Sequence, residues 1–236
     1  MKTILHKSDT RGHANHGWLD AHHSFSFANY YDPKRQNFGA LRVLNDDQIA
    51  GGMGFGRHPH DNMEIVTIPL SGDLEHRDSM GNVGVIRHGD VQIMSAGTGI
   101  YHSEKNYNLH ETLKLLQIWV FPKEENIEPR YDQQTFLAEN RKNVFQSIVS
   151  PLGTNNGGVQ MNQDAWFSLG NLEKGIETTY KINKSNNGVY VFVIEGEILI
   201  ENQILNKRDG LGISEAENFK ITANQNSEIL LIEIPI

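Results

Sequence analysis

Two histidine-containing segments have the residue types and the spacing of a metal site. His58-Pro59-His60 places two imidazoles two positions apart, and His102-Ser103-Glu104 repeats that spacing with an imidazole and a carboxylate. Because alternate residues of a β-strand leave the same face, each segment can present both of its side chains to one ion. Two antiparallel strands of this kind would close a site of three histidines and one carboxylate.

Iron, manganese, cobalt, nickel and copper all suit such a donor set, and open positions on a six-coordinate ion would admit substrate or oxygen. Glu64 has the same parity as His58-Pro59-His60 if the strand continues without a bulge, so these residues alone leave Glu64 and Glu104 as alternative carboxylates. The chain has no cysteine, which excludes thiolate ligands, disulfides and iron–sulfur clusters. All eleven histidines lie between His6 and His110, so a histidine site can form only in the first half.

Other polar and aromatic residues are predicted to have structural roles. One group of histidines is irregularly spaced among polar turn residues, which favours a structural or supporting role over direct metal binding. Its members are His13, His16, His22 and His23. Surface or strand-end positions are predicted for His76, His88 and His110. Asp46 and Asp47 are predicted to be solvated loop charges, and the aromatic residues Trp18, Phe25, Phe27, Tyr30 and Tyr31 are predicted to pack in the core.

Composition places the chain among ordinary globular proteins. Its 236 residues are enough for one large or two small domains, and its formal net charge is −8. An acidic chain lacks the basic face that direct nucleic-acid binding requires. The first residues contain no apolar signal segment, and no stretch approaches the roughly 18 apolar residues of a membrane span. We therefore expect a cytoplasmic protein that contacts neither nucleic acid nor membrane directly.

Strand signals dominate the sequence. Short β-branched or aromatic runs such as 41–44, 64–70, 115–120 and 190–194 are bounded by turn formers such as Asn45-Asp46-Asp47. Only residues 133–141 favour a short helical turn. This pattern is typical of an all-β sandwich or barrel.

The two halves of the chain repeat this pattern. Residues 64–74 align with 190–198 when Gly72 is set on Gly196, and each segment reads as strand, tight glycine turn, strand. With those glycines and, further on, Asp90 and Asp209 as anchors, the positions of the three histidines hold Ile182, Lys184 and Ile221. These side chains cannot form a matching metal site, so the second half is predicted to bind no metal.

The histidine segments resemble the two cupin motifs, as Gly52-x5-His58-x-His60-x3-Glu64 and Gly99-x2-His102-x3-Asn106. A more specific resemblance is to the pirin family, in the bacterial branch similar to quercetin 2,3-dioxygenases. The matching residues are 11–20 (RGHANHGWLD), 26–33 (SFANYYDP), 58–60 (HPH), 78–82 (DSMGN) and 92–100 (QIMSAGTGI).

This resemblance implies an all-β bicupin, two packed antiparallel jelly-roll barrels. We expect a metal-binding cupin over residues 1–128 and a metal-free cupin over residues 129–236. The pirin pattern places a carboxylate two residues after the third histidine, so the implied metal ligands are His58, His60, His102 and Glu104. One divalent ion is expected, iron(II) first, with zinc, manganese, cobalt, nickel and copper as alternatives.

The implied activity is that of a metal-dependent dioxygenase. It would open the heterocycle of a flavonol such as quercetin with O2 and release carbon monoxide. Glu104, or otherwise Glu64, is the expected catalytic acceptor of the flavonol hydroxyl proton. A substrate pocket lined by Met53, Phe55, Ile93 and Gln117 is expected from their proximity to the motifs. The alternative is a non-enzymatic regulator in which the redox state of the metal alters binding to a protein partner.

The ligand hypothesis predicts which histidines control metal content. His102→Ala should lower the metal content of the purified protein sharply, because it removes one of four donors from the ion. The double change of His13 and His16 to alanine should leave the content near that of the wild type. Elemental analysis of the variants, purified without added metal, checks both outcomes, and the reverse result would contradict the ligand set.

Overall fold

Strands account for almost all regular structure of the chain, as the short β-branched runs predicted. The computed structural model describes residues 1–236. The strands up to residue 135 are β1 (Lys2–His6), β2 (Gly12–Asn15), β3 (Leu19–His23), β4 (Leu41–Ile49), β5 (Gly54–His60), β6 (Glu64–Ser71), β7 (Leu74–Asp78), β8 (Val83–Ile86), β9 (Asp90–Ser95), β10 (Ile100–Asn106), β11 (Leu113–Val120) and β12 (Arg130–Thr135).

The second half continues with β13 (Phe145–Pro151), β14 (Val159–Met161), β15 (Trp166–Leu172), β16 (Glu177–Lys181), β17 (Asn187–Glu195), β18 (Glu197–Ile200), β19 (Gln203–Asn206), β20 (Gly210–Ser214), β21 (Asn218–Ala223) and β22 (Ser227–Pro235). Two 3-10 helices, Ser8–Thr10 and Ala138–Arg141, are the only helical segments. No helix has the length and hydropathy that a membrane crossing requires. The region 133–141, predicted as one helical turn, divides between the end of β12 and the second 3-10 helix.

Each half contains a seven-stranded sheet and a four-stranded sheet with corresponding strand orders. The small sheets run β5-β10-β7-β8 and β16-β21-β18-β19. The large sheets run β12-β9-β6-β11-β4-β3-β2 and β1-β20-β17-β22-β15-β13-β14. The matching orders confirm the predicted bicupin. The aligned turns at Gly72 and Gly196 both adopt positive φ, of 82° and 89°, which explains the glycine at each.

The halves exchange one strand each at the edges of the large sheets. β1, from the beginning of the chain, pairs with β20 of the second half. β12, which follows the first barrel, pairs with β9 of the first half. The predicted domain boundaries, 1–128 and 129–236, assign β1 to the first domain and β12 to the second. Each of these strands therefore pairs within the sheet of the other domain. The boundaries remain a prediction.

The largest core lies between the two halves. It contains 24 buried residues, with Val66 and Ile118 from the first large sheet and Phe167 and Phe192 from the second. Burial of an apolar side chain of this size contributes roughly 1.5–3 kcal/mol. This shared core therefore holds the two large sheets together as one packed body.

The interiors of the two barrels differ. The second barrel is filled by 16 buried apolar residues, including Phe219 and Ile221. With Gly72 set on Gly196, the pairing of β21 with β18 places Ile221 at the position of Glu104 and Phe219 at that of His102, so the predicted match of Ile221 to His102 is wrong. The first barrel has only a cluster of seven apolar residues around Leu115 and one of four around Ile65. A cavity with polar groups remains between these two small clusters, and it contains the candidate site.

The predicted turn at Asn45-Asp46-Asp47 is wrong, because β4 continues through it to Ile49. Asp46 and Asp47 are buried, so their prediction as solvated loop charges is wrong too. Asp46 is compensated by two guanidinium groups, from Arg11 at 3.2 Å and from Arg208 of the second half at 3.1 Å. Local composition suggested a loop, whereas partners distant in the sequence allow charged residues within a central strand.

This ion cluster predicts a stability effect. Asp46→Ala should lower the free energy of unfolding by about 2–4 kcal/mol, because it leaves Arg11 and Arg208 poorly solvated and without a counter-charge. Urea denaturation of the variant and the wild type measures the difference. Glu215→Ala is the control, since it breaks an ion pair to Lys2 that is largely exposed and should change stability little. Equal effects of the two changes would contradict this account.

Candidate metal centre

The three predicted histidines lie together at one end of the first-barrel cavity. β5 and β10 pair antiparallel with His58 directly opposite His102, and His60 lies two residues along on the same face. Candidate donor atoms of the three side chains are within 4.8 Å of one another. The ring centroids are 4.4–4.9 Å apart. The strand register, set by hydrogen bonds between backbones, is what brings the two sequence segments together.

Glu104 lies next to this cluster. A β-bulge between His102 and Glu104 shifts the register, so that Glu104 pairs with Phe55 on β5 and with His76 on β7. The carboxylate is buried and accepts hydrogen bonds from Gln117 Nε2, at 3.2 Å to Oε1 and 3.0 Å to Oε2. Its candidate donor atom is within 4.8 Å of those of His76 and His102.

Glu64 lies elsewhere. β5 ends at His60 and β6 begins at Glu64, so the condition of a continuous strand is not met. Glu64 Oε2 accepts hydrogen bonds from Ser95 Oγ at 2.8 Å and from the backbone N–H of Asn162 in the second half at 3.1 Å. Glu64 is not among the residues that line the cavity. The structure brings Glu104, and not Glu64, to the histidines.

His76 is a buried neighbour of the site that sequence reasoning missed. Its prediction as a surface or strand-end residue is wrong, because the side chain is fully buried and its ring centroid is 5.3 Å from that of His102. His76 Nε2 lies 3.4 Å from Asp78 Oδ2. The alternation of β7 was a usable signal, because His76 has the parity of the apolar Leu74 and therefore faces the barrel interior.

Burial keeps His60 and His102 neutral. Desolvation lowers the pKa of His60 to about 4 and that of His102 to about 2, with further lowering from neighbouring histidines. Desolvation has the opposite effect on a carboxyl group and raises the pKa of Glu104 to about 7. Neutral imidazole nitrogens are the form that binds metal, so these two histidines present donors at neutral pH.

Two observations show that these side chains fit a metal ion. Both ring nitrogens of His102 are buried without a hydrogen-bond partner in the protein, and an unpartnered buried polar atom carries a free-energy cost. His58 Nδ1 lies 2.8 Å from the backbone oxygen of Gly56. Such a contact orients a metal-binding imidazole and leaves its other nitrogen for the ion.

The cavity beside the histidines has a volume of about 450 Å³ and aromatic walls. Phe27 packs edge-to-face on Trp119, and Trp18 on Phe55, each with ring centroids 5.3 Å apart. Trp18 and Phe27, predicted as core residues, line this cavity instead. A volume of this size is in the range that binds organic ligands.

The predicted pocket residues divide into two groups. Phe55 and Gln117 line the cavity. Met53 is 45% exposed, and Ile93 belongs to the core between the halves. The strand parity of Ile93 explains its position, since it shares a face with Val91 of the same core and therefore points away from the barrel interior.

A second histidine group lies on the β2–β3 hairpin. Candidate donor atoms of His13, Asp20 and His22 are within 4.8 Å of one another. These side chains are 31–52% exposed, and His13 Nε2 contacts Asp20 Oδ1 at 2.7 Å. His23, on the same hairpin, is instead buried, with Nδ1 2.9 Å from Asn45 Oδ1.

Comparisons with known proteins agree with this architecture. The pirin family model matches residues 5–120, and the model of the quercetinase C-terminal cupin domain matches residues 147–234. A quercetin 2,3-dioxygenase of Escherichia coli strain K12 is 46% identical over 231 residues, which are 98% of each chain. A putative quercetin 2,3-dioxygenase of Pseudomonas aeruginosa is 42% identical, over 96% of this chain and 97% of that protein.

A solved structure gives the same result in three dimensions. The crystal structure of a bacterial pirin from Escherichia coli in complex with nickel(II) superimposes with a TM-score of 0.93. Its sequence identity to this chain is 44%, and the match covers 99% of each chain. With relatives this similar over nearly the whole length, the chain belongs to the pirin family.

Proposed function

We propose that the chain is a metal-dependent dioxygenase that opens the heterocycle of flavonols such as quercetin. The observation that best supports this proposal is the convergence of His58, His60 and His102, with the buried Glu104 beside His102, on an aromatic-lined cavity. Relatives over 40% identical along nearly the whole chain carry quercetin 2,3-dioxygenase names. The reaction incorporates O2 into the ring-opened product and releases one ring carbon as carbon monoxide.

The residues proposed to hold the metal are His58, His60, His102 and Glu104. Three neutral imidazoles and one carboxylate leave a divalent ion with a local charge of about +1, which favours an anionic oxygen ligand. The similar bacterial pirin was crystallised in complex with nickel(II), which supports the binding of a divalent ion by this chain. We infer iron(II) as the ion for oxygen chemistry, because nitrogen and carboxylate donors with open positions suit it.

A bound divalent ion would lower the pKa of the flavonol 3-hydroxyl and favour its chelation together with the adjacent 4-carbonyl oxygen. The protein residues then have two tasks, to remove that proton and to hold the rings. Glu104 lies beside the histidines on the cavity wall, so its carboxylate is positioned to accept that proton. Gln117 fixes the orientation of the carboxylate by donating to both of its oxygens.

The aromatic pairs hold the rings of the substrate. The Phe27–Trp119 and Trp18–Phe55 pairs offer apolar surface that a planar ring system can contact, and they displace water from its faces. The backbone oxygen of Gly56 and the aromatic rings of Phe55 and Trp119 surround the histidine cluster. These aromatic walls would exclude part of the solvent from the bound ring system, which strengthens electrostatic interactions there.

Flavonol turnover tests the proposal. The iron-loaded protein, prepared without oxygen, should consume O2 when oxygen and a flavonol are added, and carbon monoxide should appear in the headspace. Glu104→Gln should lower turnover by about 10²–10⁴-fold, because the amide cannot accept the proton. The matched control is Glu64→Gln, a carboxylate at the junction of the halves, which should retain turnover.

Two results would contradict this proposal. If neither O2 consumption nor carbon monoxide is observed with iron, manganese, cobalt, nickel or copper, the dioxygenase proposal is wrong. Equal loss of turnover in both glutamine variants at unchanged metal content would remove Glu104 from the proposed proton transfer. A redox-dependent interaction with a cytosolic protein would then favour the regulator hypothesis.

The pH dependence of metal binding tests the proposed ligand Glu104 separately. Its pKa of about 7 means that the metal-free carboxyl group gains a proton as the pH falls below 7. Metal binding must displace that proton, so affinity should fall by about one logarithmic unit for each pH unit below 7. His60 and His102 stay neutral over this range because their pKa values are lowered to about 4 and about 2.

Metal titrations between pH 5 and pH 7.5 measure this slope. In Glu104→Gln the dependence arising from this group should disappear, although the overall affinity should be weaker. An unchanged slope in that variant would show that another group releases the proton. Proton release measured by calorimetry in two buffers gives an independent count of about one proton near pH 6.

A further inference from the structure

We propose that Asp47, with the neighbouring His23 and Asn45, forms a subsite that binds the peripheral phenolic hydroxyl groups of the substrate. This inference rests on the proposed function for the identity of the substrate and goes beyond it in naming the part of the molecule that is recognised. The three residues line the same cavity as the histidine cluster. They lie on β3 and β4 of the large sheet, whereas two of the proposed metal ligands are on β5.

A polar row across the floor of the barrel connects this subsite to the proposed metal centre. Thr67, Gln117, Asn45 and His23 stand opposite one another in register on β6, β11, β4 and β3. Thr67 Oγ1 donates to Gln117 Oε1 at 3.0 Å, and Gln117 donates to Glu104. At the other end, His23 Nδ1 lies 2.9 Å from Asn45 Oδ1.

Asp47 extends this surface because it lies two residues from Asn45 on the same face of β4. The side chain is 4% exposed, and its Oδ1 is buried without a hydrogen-bond partner. Its counterparts in the sheet register are the apolar Leu115 and Ala21, which cannot satisfy it. A buried carboxyl oxygen left in this state costs free energy, and a hydroxyl group in the cavity is the partner of suitable chemistry.

Asp47 can hydrogen-bond a phenolic hydroxyl group whether its carboxyl group is protonated or ionised. Burial raises the pKa of Asp47 to about 8, with smaller contributions from Asp46 and Glu104. A protonated carboxyl group donates to and accepts from a phenol, and an ionised one accepts the phenol proton in a hydrogen bond. The match therefore follows from the position of the carboxyl group and does not depend on its charge.

The distance across the sheet agrees with a ring system held at both ends. Gln117 and His23 are two strands apart, which is roughly 10 Å at the usual strand spacing. A flavonol chelated near Glu104 through its 3-hydroxyl and 4-carbonyl can reach that far with its outer ring. Phe27 and Trp119, which line the cavity between the two ends, would contact the ring faces.

Anaerobic ligand binding tests the subsite without requiring turnover. Quercetin is compared with 3-hydroxyflavone, which keeps the chelating 3-hydroxyl and 4-carbonyl but has no other hydroxyl group. Quenching of the fluorescence of Trp18 and Trp119 in the metal-loaded protein reports both dissociation constants. The wild type should prefer quercetin by about tenfold or more, since a site built to hydrogen-bond a hydroxyl discriminates against its absence.

Substitutions of Asp47 test whether the preference for quercetin over 3-hydroxyflavone depends on this residue. In Asp47→Leu, of similar volume, the ratio of the two dissociation constants should fall by about tenfold, and Asp47→Asn should give an intermediate ratio. Gln48→Leu changes the next residue, on the opposite face of β4, and should leave the ratio unchanged. Metal content and thermal melting of each variant verify that the fold and the proposed metal centre are intact.

The outcomes separate this inference from the proposed function. A wild type without preference for quercetin overturns the subsite whatever the variants do, and this measurement does not require any variant to fold. An unchanged ratio in folded Asp47→Leu or Asp47→Asn overturns it as well. If the preference depends on Asp47 but no carbon monoxide is formed, the subsite stands and the dioxygenase proposal is wrong. If both flavonols are turned over and bound without discrimination, the dioxygenase proposal stands and the subsite is wrong.

Discussion

The antiparallel register of β5 and β10 is the constraint on which the site depends. It sets His58 opposite His102 and turns both toward the barrel interior. A shift of one residue would send these imidazoles to the other face, because side chains alternate along a strand. Residues around these two strands compensate the burial of the polar side chains at the site. Gly56 orients one imidazole and Gln117 orients the carboxylate, while burial keeps two of the three imidazoles neutral.

One fold carries two different interiors. The second barrel repeats the strand order of the first, but apolar side chains fill it, with Phe219 and Ile221 at the positions of His102 and Glu104. A barrel with a polar cavity buries less apolar surface and gains less from the hydrophobic effect. The core of 24 residues between the large sheets and the exchange of β1 and β12 supply packing that the first barrel lacks inside. The second barrel thus supports a site to which it contributes no proposed ligand.

The sequence predicted the elements whose signals are local. Alternation and turn residues indicated the all-β class, and the two-residue spacing of His58-Pro59-His60 indicated a shared face, which the structure confirms. Where the outcome depended on partners distant in the sequence, prediction failed. Local sequence predicts Asp46 as a loop charge, because its partner Arg208 lies in the second half of the chain. His76 is a different case, because its parity with Leu74 on β7 was a local signal that was missed, and the parity argument for Glu64 failed because β5 ends at His60.

Buried polar groups in the first barrel are best understood as one connected arrangement rather than as separate exceptions to burial. Thr67, Gln117 and Glu104 satisfy one another, so their desolvation is largely compensated. The protein does not satisfy His102 and Asp47, and each retains buried side-chain atoms without a hydrogen-bond partner. Stability alone would favour an apolar side chain at the position of His102, where the second barrel has Phe219, and a compensated group at that of Asp47. Their cost to the fold is explained if each is satisfied only when a ligand is bound, the one by a metal ion and the other by a hydroxyl group.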